Sequence, residues 1–374
     1  MKRRAFIYWG ICVLLVILFL IYWLCYWRFR AYTDDAYVEG NRVFITPLRP
    51  GFVKGIYTDD TFLVEKGQLL VELDETDDQI AFDAAQEDLA NAVREVCQLF
   101  HQVAAYEAEI EMKKAEYIKA AQDYEHREDV INAGGVSLEN FEHAQAELLS
   151  NFYSLQLSEI LYQKALAMVQ GTTVETHPLV FAAADRVREA YVQLHRCKIY
   201  SPVEGLAAQR TIQVGMWVKA GAPLMSVIPL DQIWVNANYK ETQMKHMRLG
   251  QKVNITSDLY GGGVVFHGKI QGLPGGAGNA FSLLPPQNLS GNWIKIVQRL
   301  PVRVALDPEE LRKFPLRIGL SMEAIVQLEE KHGILVPTSN EGSPIYKTEI
   351  YNDEEKGDEE LIQAIIEANR DDEG

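Results

Sequence analysis

Apolar residues recur at every seventh position along two stretches of this chain. In the first, Leu89, Val96, Val103, Ile110, Tyr117, Tyr124 and Ile131 keep the spacing unbroken, and Val93, Phe100, Glu107, Lys114, Ala121 and Glu128 stand at the flanking seam position. In the second, Phe141, Leu148, Leu155, Tyr162 and Val169 repeat it, and after an offset the series resumes at Val180, Val187 and Leu194. A strict seven-residue repeat is a helical seam that winds against a partner. Between the stretches lies Asn132-Ala-Gly-Gly-Val-Ser137, a helix stop followed by a capping Ser. The pattern predicts one antiparallel α-helical hairpin over 77–197, with its tip at 132–137 and arms that each reach roughly 80 Å. The step from Val169 to Val180 is eleven positions, seven plus four. It predicts a break in the second arm, with Pro178 in the restarted first turn and Thr176 or His177 as cap.

Ahead of the hairpin the periodicity is different. Ala5 to Trp27 carries no charged residue over 23 positions, roughly 35 Å of helix and enough to cross a hydrocarbon core. Tyr8, Trp9, Tyr22, Trp23, Tyr26 and Trp27 cluster toward its two ends as an interfacial belt would. Lys2, Arg3 and Arg4 before it outnumber Arg28 and Arg30 after it, which favours an N-terminus inside and the bulk of the chain outside. The rival reading, a cleavable signal, suits the long apolar run and the missing Ala-x-Ala site poorly. The expected order is a tail at 1–4, a transmembrane helix at 5–27 and a linker at 28–42.

Short strands are expected on both sides of the hairpin. Gly51-Phe-Val with Val64-Glu-Lys-Gly67 matches Gly205-Leu-Ala with Val218-Lys-Ala-Gly221, and each pair of glycines stands sixteen positions apart. Two copies of one half-motif imply that 43–76 and 198–230 pair, and that the hairpin is an insertion between them. The closest architecture for such halves is the biotinyl/lipoyl-type β-sandwich. The carrier lysine of that type is missing at the junction Asp74-Glu-Thr76, so no covalent cofactor is expected. From 231 to 330, runs such as Ile233-Trp-Val, Gln251-Lys-Val-Asn-Ile, Gly263 to Ile270, Trp293 to Val297, Pro301 to Leu306 and Met322 to Leu328 predict a six-stranded β-barrel. Lys240 to Leu249 reads as its short helix. The fold class is thus α+β.

Composition narrows the function. The formal net charge of −16 speaks against a nucleic-acid partner, which needs a basic face. Twelve acidic and four basic residues follow from Lys331 onward, so half of the excess sits in a C-terminal segment that reads as solvated, with at most a turn or two of amphipathic helix at Leu361–Ala368. Cysteines 12, 25, 97 and 197 have no metal-ligand spacing. Gly263 to Lys269 imitates a phosphate loop but continues into Ile270 and a β-branched run. No nucleophile, metal or paired-carboxylate motif is present, and no enzyme activity is expected.

Several segments carry a resemblance. Thr33-Asp-Asp-Ala-Tyr-Val38, Asn238-Tyr-Lys-Glu-Thr-Gln243, Ala280-Phe-Ser-Leu-Leu-Pro285 and Gly291 to Arg303 resemble the periplasmic adaptors, or membrane fusion proteins, of the HlyD family, EmrA type. The resemblance implies a tripartite multidrug efflux pump. Its parts would be an inner-membrane transporter of the major facilitator type, this adaptor as a ring with six as the working subunit number, and an outer-membrane channel of the TolC type, exporting small hydrophobic compounds. It also implies that the hairpin tip meets the channel. The residues carried over are Arg127, Ile131, Gly134, Gly135 and Ser137, with Ile in place of the usual Leu and the Ser one position nearer. Two readings stay open beside it: an adaptor for protein or peptide secretion, and a single-pass coiled-coil scaffold.

Overall fold

The structure, a computed structural model, describes residues 2–22, 29–131, 134–277, 297–328, 333–336, 342, 344–354 and 356–370. The first element is helix α1 (Lys2–Tyr22). Side chains are described for residues 8–20 of it, and among the described residues no helix is long and apolar enough to cross a membrane. Trp23 to Arg28, the end of the expected span and half of its aromatic belt, lie outside the described residues.

The first strand, β1 (Arg30–Gly40), corrects the expected linker at 28–42. Ala31, Thr33, Ala36 and Val38 are buried, while Tyr32 and Tyr37 are exposed. The register slips between Thr33 and Ala36. That bulge breaks the two-residue alternation, which is why the strand was not legible as one. β1 is a wall of the barrel.

Four short strands follow: β2 (Val43–Ile45), β3 (Gly51–Ile56), β4 (Leu63–Val64) and β5 (Leu69–Leu73). The chain then leaves as α2 (Thr76–Ile131) and returns as α3 (Leu138–Val169) and α4 (Pro178–His195). It re-enters with β6 (Lys198–Tyr200), β7 (Gly205–Ala208), β8 (Trp217–Val218) and β9 (Met225–Ile228). Two four-stranded sheets result, β2-β9-β7-β4 and β6-β5-β3-β8, each with two strands from either side of the hairpin. The repeat seen in sequence pairs reciprocally: Gly51 lies opposite Val218, and Gly205 opposite Val64. Gly67 and Gly221 occupy matching turns at φ 83° and 76°, a conformation that disfavours any residue with a β-carbon. Leu70, Leu73, Ile212, Leu224 and Met225 fill the space between the sheets.

The second β module is a closed barrel, β1-β10-β13-β12-β11-β14. Its remaining strands are β10 (Ile233–Lys240), β11 (Lys252–Ser257), β12 (Val265–Gly272), β13 (Arg299–Leu306) and β14 (Ser321–Gln327), with α5 (Pro308–Lys313) before the last. Among the described residues the sixth strand is therefore β1. The strand expected at Trp293 to Val297 lies outside them except for Val297, as does most of the Gly272–Asn292 loop. Gly263 to Lys269 runs into β12, with Gly268 packed against the Ala305 carbonyl and Val304. The barrel core holds Tyr239, whose hydroxyl donates to the Ala324 carbonyl at 3.1 Å, and Phe266, Met247 and Leu316.

The last element, α6 (Asp358–Asn369), corrects the reading of the acidic segment as solvated. Ile362 and Ile366 are buried against Leu89, Val93, Val96, Val180 and Val187 at the root of the hairpin. Arg188 donates to Asp358 at 3.2 Å and to Glu359 at 2.9 Å. The hairpin root is consequently a three-helix bundle.

Candidate functional site

The candidate site is the far end of the hairpin. α2 holds 56 residues, which at the helical rise is roughly 84 Å. The arms face one another along this length: the seam residues Tyr124 and Phe141 meet with ring centroids 5.2 Å apart, and Tyr117 meets Phe152, a residue outside the second seam, at 6.0 Å. One part of the expected seam needs correction. Glu107, Lys114 and Glu128 are exposed, and the second flank beyond Phe100 is formed by Tyr106, Lys113, Ala120 and Arg127. Near the root α2 packs on α4 and α6 together, whereas further out it meets α3 alone. A straight helix drifts about 20° per heptad against a strict seven-residue repeat. The side that is covered shifts accordingly by one position.

The tip is built from backbone. The Gly134 N–H donates to the Ile131 carbonyl and the Gly135 N–H to the Val130 carbonyl, each at 3.1 Å, with Gly134 at φ 71°. This closes the end of α2 through a left-handed glycine. Ser137 starts α3: its hydroxyl accepts from the Asn140 N–H at 3.3 Å, an N-cap that satisfies an otherwise orphaned donor. Arg127 spans the turn. Its guanidinium donates to Asp123 on its own helix at 2.9 Å and to the Asn140 carbonyl on the other at 3.2 Å. Ile131 is half-buried in the seam. Asn132 and Ala133 lie outside the described residues.

Of the five residues expected at the tip, Arg127, Ile131 and Ser137 thus have internal partners, and Gly134 and Gly135 are exposed turn backbone. Sequence reasoning passed over Val130 and Leu138, which are 41% and 66% exposed. Each is a large apolar residue adjoining a tip residue yet outside the heptad register, and that was the available signal. Val130 and Leu138 are thus exposed apolar side chains flanking the glycine turn, with Glu128, Asp129 and Glu139 exposed around them.

The opposite end of the rod is fastened. Arg49 pairs with Asp78 in the first turn of α2, Lys54 with Glu72 at 2.8 Å, and Lys198 with Glu75 at 3.7 Å. Hydrogen bonds from Lys54 and Tyr57 hold the Glu72 carboxyl below its usual range. The Leu73 N–H donates to the Cys197 carbonyl at 2.8 Å, so the chain departs and returns at adjacent strands. The Arg49 guanidinium lies 2.9 Å from the buried Cys197 thiol, whose pKa is raised by burial. Among the described residues no three His, Cys, Asp or Glu side chains converge as a metal site.

A stiff rod with an open tip and two β modules at its root defines a structural adaptor. Family models give the same answer: the EMRA alpha-helical hairpin domain matches residues 76–197, and the AAEA-like beta-barrel domain matches 232–326. The chain is 47% identical over 299 residues to the probable multidrug resistance protein EmrK of Escherichia coli strain K12, covering 80% of this chain and 77% of that one. It is 40% identical over 349 residues to the multidrug export protein EmrA of the same strain, covering 93% and 90%. The fatty acid resistance protein FarA of Neisseria gonorrhoeae is 38% identical over 317 residues, covering 84% and 78%. The protein belongs to the HlyD family of membrane fusion proteins, as an EmrA-type member. Members of this family are non-enzymatic structural adaptors.

Proposed function

We propose that this protein is the adaptor of a multidrug efflux pump, bridging a membrane transporter and an outer-membrane exit channel. The observation that carries the reading is the hairpin itself: a rod of roughly 84 Å, fastened by ion pairs at its root and exposing Val130 and Leu138 at its tip. The relatives are named for multidrug export and resistance and, in one case, for fatty acid resistance. In the finer reading the uncharged Ala5–Trp27 stretch is a single-pass anchor in the inner membrane, with the bulk of the chain periplasmic. The two-sheet module is a lipoyl-like sandwich without a carrier lysine. Copies assemble as a ring around a major-facilitator transporter, and the tip, Arg127 to Leu138, meets a TolC-type channel. Small hydrophobic compounds are the expected cargo. The glycine-matched halves favour this over a dimerising scaffold, which has no use for them.

The test is a photo-crosslinking residue at Leu138, with one at exposed Met112 as the mid-rod control, in cells carrying the pump. A channel adduct at 138 and none at 112 is expected. Leu138→Glu should abolish resistance while leaving α3 intact, because an acidic residue is favourable in the first turn of a helix. Full resistance in Leu138→Glu would overturn the tip assignment.

A further inference from the structure

The far end of the barrel carries charge of the wrong sign for this chain. β1 leaves Arg30 at one rim, where Gln327 of β14 is its partner and the Leu328 N–H donates to the Phe29 carbonyl at 2.8 Å. β10 ends at that rim with Lys240, and β11 begins there with Lys252. The segment joining them crosses the barrel mouth. Its Met244, Met247 and Leu249 pack into the core, while Lys245 and His246 are exposed. Lys252 lies directly opposite Lys269 on β12, an arrangement that is destabilising in isolation. Among the described residues none of Lys240, Lys245, Lys252 or Lys269 forms an ion pair. The described carboxylates near these cations include Asp34, Asp35, Glu241, Glu323 beside Tyr32, and Asp307, which lines one hollow with Lys252 and Lys269; Asp35 is held by Arg299 at 2.8 Å and Asn238 at 3.0 Å. In a protein of net charge −16, this rim is a basic collar.

Beside it lies an apolar strip. The Leu249 N–H donates to the Ile334 carbonyl at 3.1 Å, which fixes the Gly333–Val336 segment against the mouth. Ile334, Leu335 and Val336 are 62%, 52% and 73% exposed. Cations flanking bare aliphatic side chains are the composition of a surface that lies in a lipid interface. Chain length places such an interface nearby: seven residues separate Tyr22 from Arg30, a reach of at most about 28 Å.

We propose that this end of the barrel, Lys240, Lys245 and Lys252 with Ile334, Leu335 and Val336, docks on a membrane surface bearing anionic phospholipid headgroups. The proposal rests on the reading of Ala5–Trp27 as an anchor. Headgroup phosphates would pair with the lysines, and the aliphatic strip would enter the acyl boundary. Docking would hold the barrel upright and so aim the rod along the membrane normal.

The experiment is hydrogen exchange on the full chain in nanodiscs of phosphatidylcholine alone and of phosphatidylcholine with phosphatidylglycerol. In the anionic discs, amides of 240–250 and 333–336 should exchange at least roughly five-fold more slowly, the factor that one lysine near an anionic surface supplies. High salt should remove the protection, since it shortens the screening length to about 3 Å at 1 M. Lys240→Glu with Lys245→Glu and Lys252→Glu should abolish it, and the same three changed to Arg should retain it. Equal exchange in both discs, in a chain that stays in them, overturns the proposal and leaves the anchor standing. Protection that survives the Glu variant, or that appears only with a transporter present, also overturns it. A chain that does not enter the discs overturns the anchor reading as well.

Discussion

Gly51 and Gly205 occupy equivalent positions in the two halves of the sandwich, yet the same substitution should have opposite consequences. A β-carbon on Gly51 would stand 3.5 Å from the Leu73 side chain, which is ordinary contact. On Gly205 it would stand 2.5 Å from the Ile228 oxygen, 2.7 Å from its carbonyl carbon and 2.9 Å from the Pro229 nitrogen. Those atoms are backbone and cannot rotate away. Relief requires β7 and β9 to separate, and overpacking of this kind costs about 3 kcal/mol. For a module of this size that corresponds to a fall of roughly 12–24 °C in Tm. Gly51→Ala should lie between no change and a gain of about 1 kcal/mol, because the unfolded chain loses freedom. Thermal unfolding of the full chain, read as the proteolytic susceptibility of 43–74 and 198–230, separates the two. An unshifted Gly205→Ala, or an equal loss from Gly51→Ala, would refute the reciprocal geometry.

Three further outcomes follow from the hairpin and its strap. Ile366→Ala removes a fully packed side chain from the α6 interface and should cost about 2–5 kcal/mol; limited proteolysis should then cut 356–370 first, with the hairpin tip still protected. Acid should loosen α6. The Arg188 hydrogen bond, with a second from Gln363, holds the Glu359 carboxyl below its ordinary range. Its contribution is therefore present above the unfolded value of about 4.3 and is lost as pH falls through the lower folded value. Exchange of α6 amides should rise over that window, and in Arg188→Gln the rise should be smaller. Ser137→Ala deletes an N-cap and should cost about 1 kcal/mol, read as faster exchange at Leu138–Phe141 with no effect on amides near Leu89.

The hairpin was legible in the sequence because its determinant is local. A seven-residue repeat, a glycine stop and a Ser cap act over a few turns, and the structure places α2, α3 and α4 where they direct. His177 caps α4 by accepting from the Leu179 N–H, one of the two caps expected. The paired halves were legible for a related reason, since two copies of one glycine spacing leave a mark that needs no knowledge of contacts. The tip was legible in place: Arg127 and Ser137 hold the turn together, and the large apolar residues exposed beside them are Val130 and Leu138.

What the sequence by itself determined is the set of periodicities, and hence the rod, its break at 171–178 and its insertion between two matched β halves. Tertiary structure alone decided three things. It made β1 a barrel strand, because closing six strands supplies the pairing that its bulged alternation does not announce. It moved the outer seam flank to Tyr106, Lys113 and Ala120, because the number of helices beside α2 changes along its length. It also made α6 a helix worth having. Twelve acidic-rich residues are marginal as an isolated helix in water, and only burial of Ile362 and Ile366 on the hairpin root makes that conformation stable.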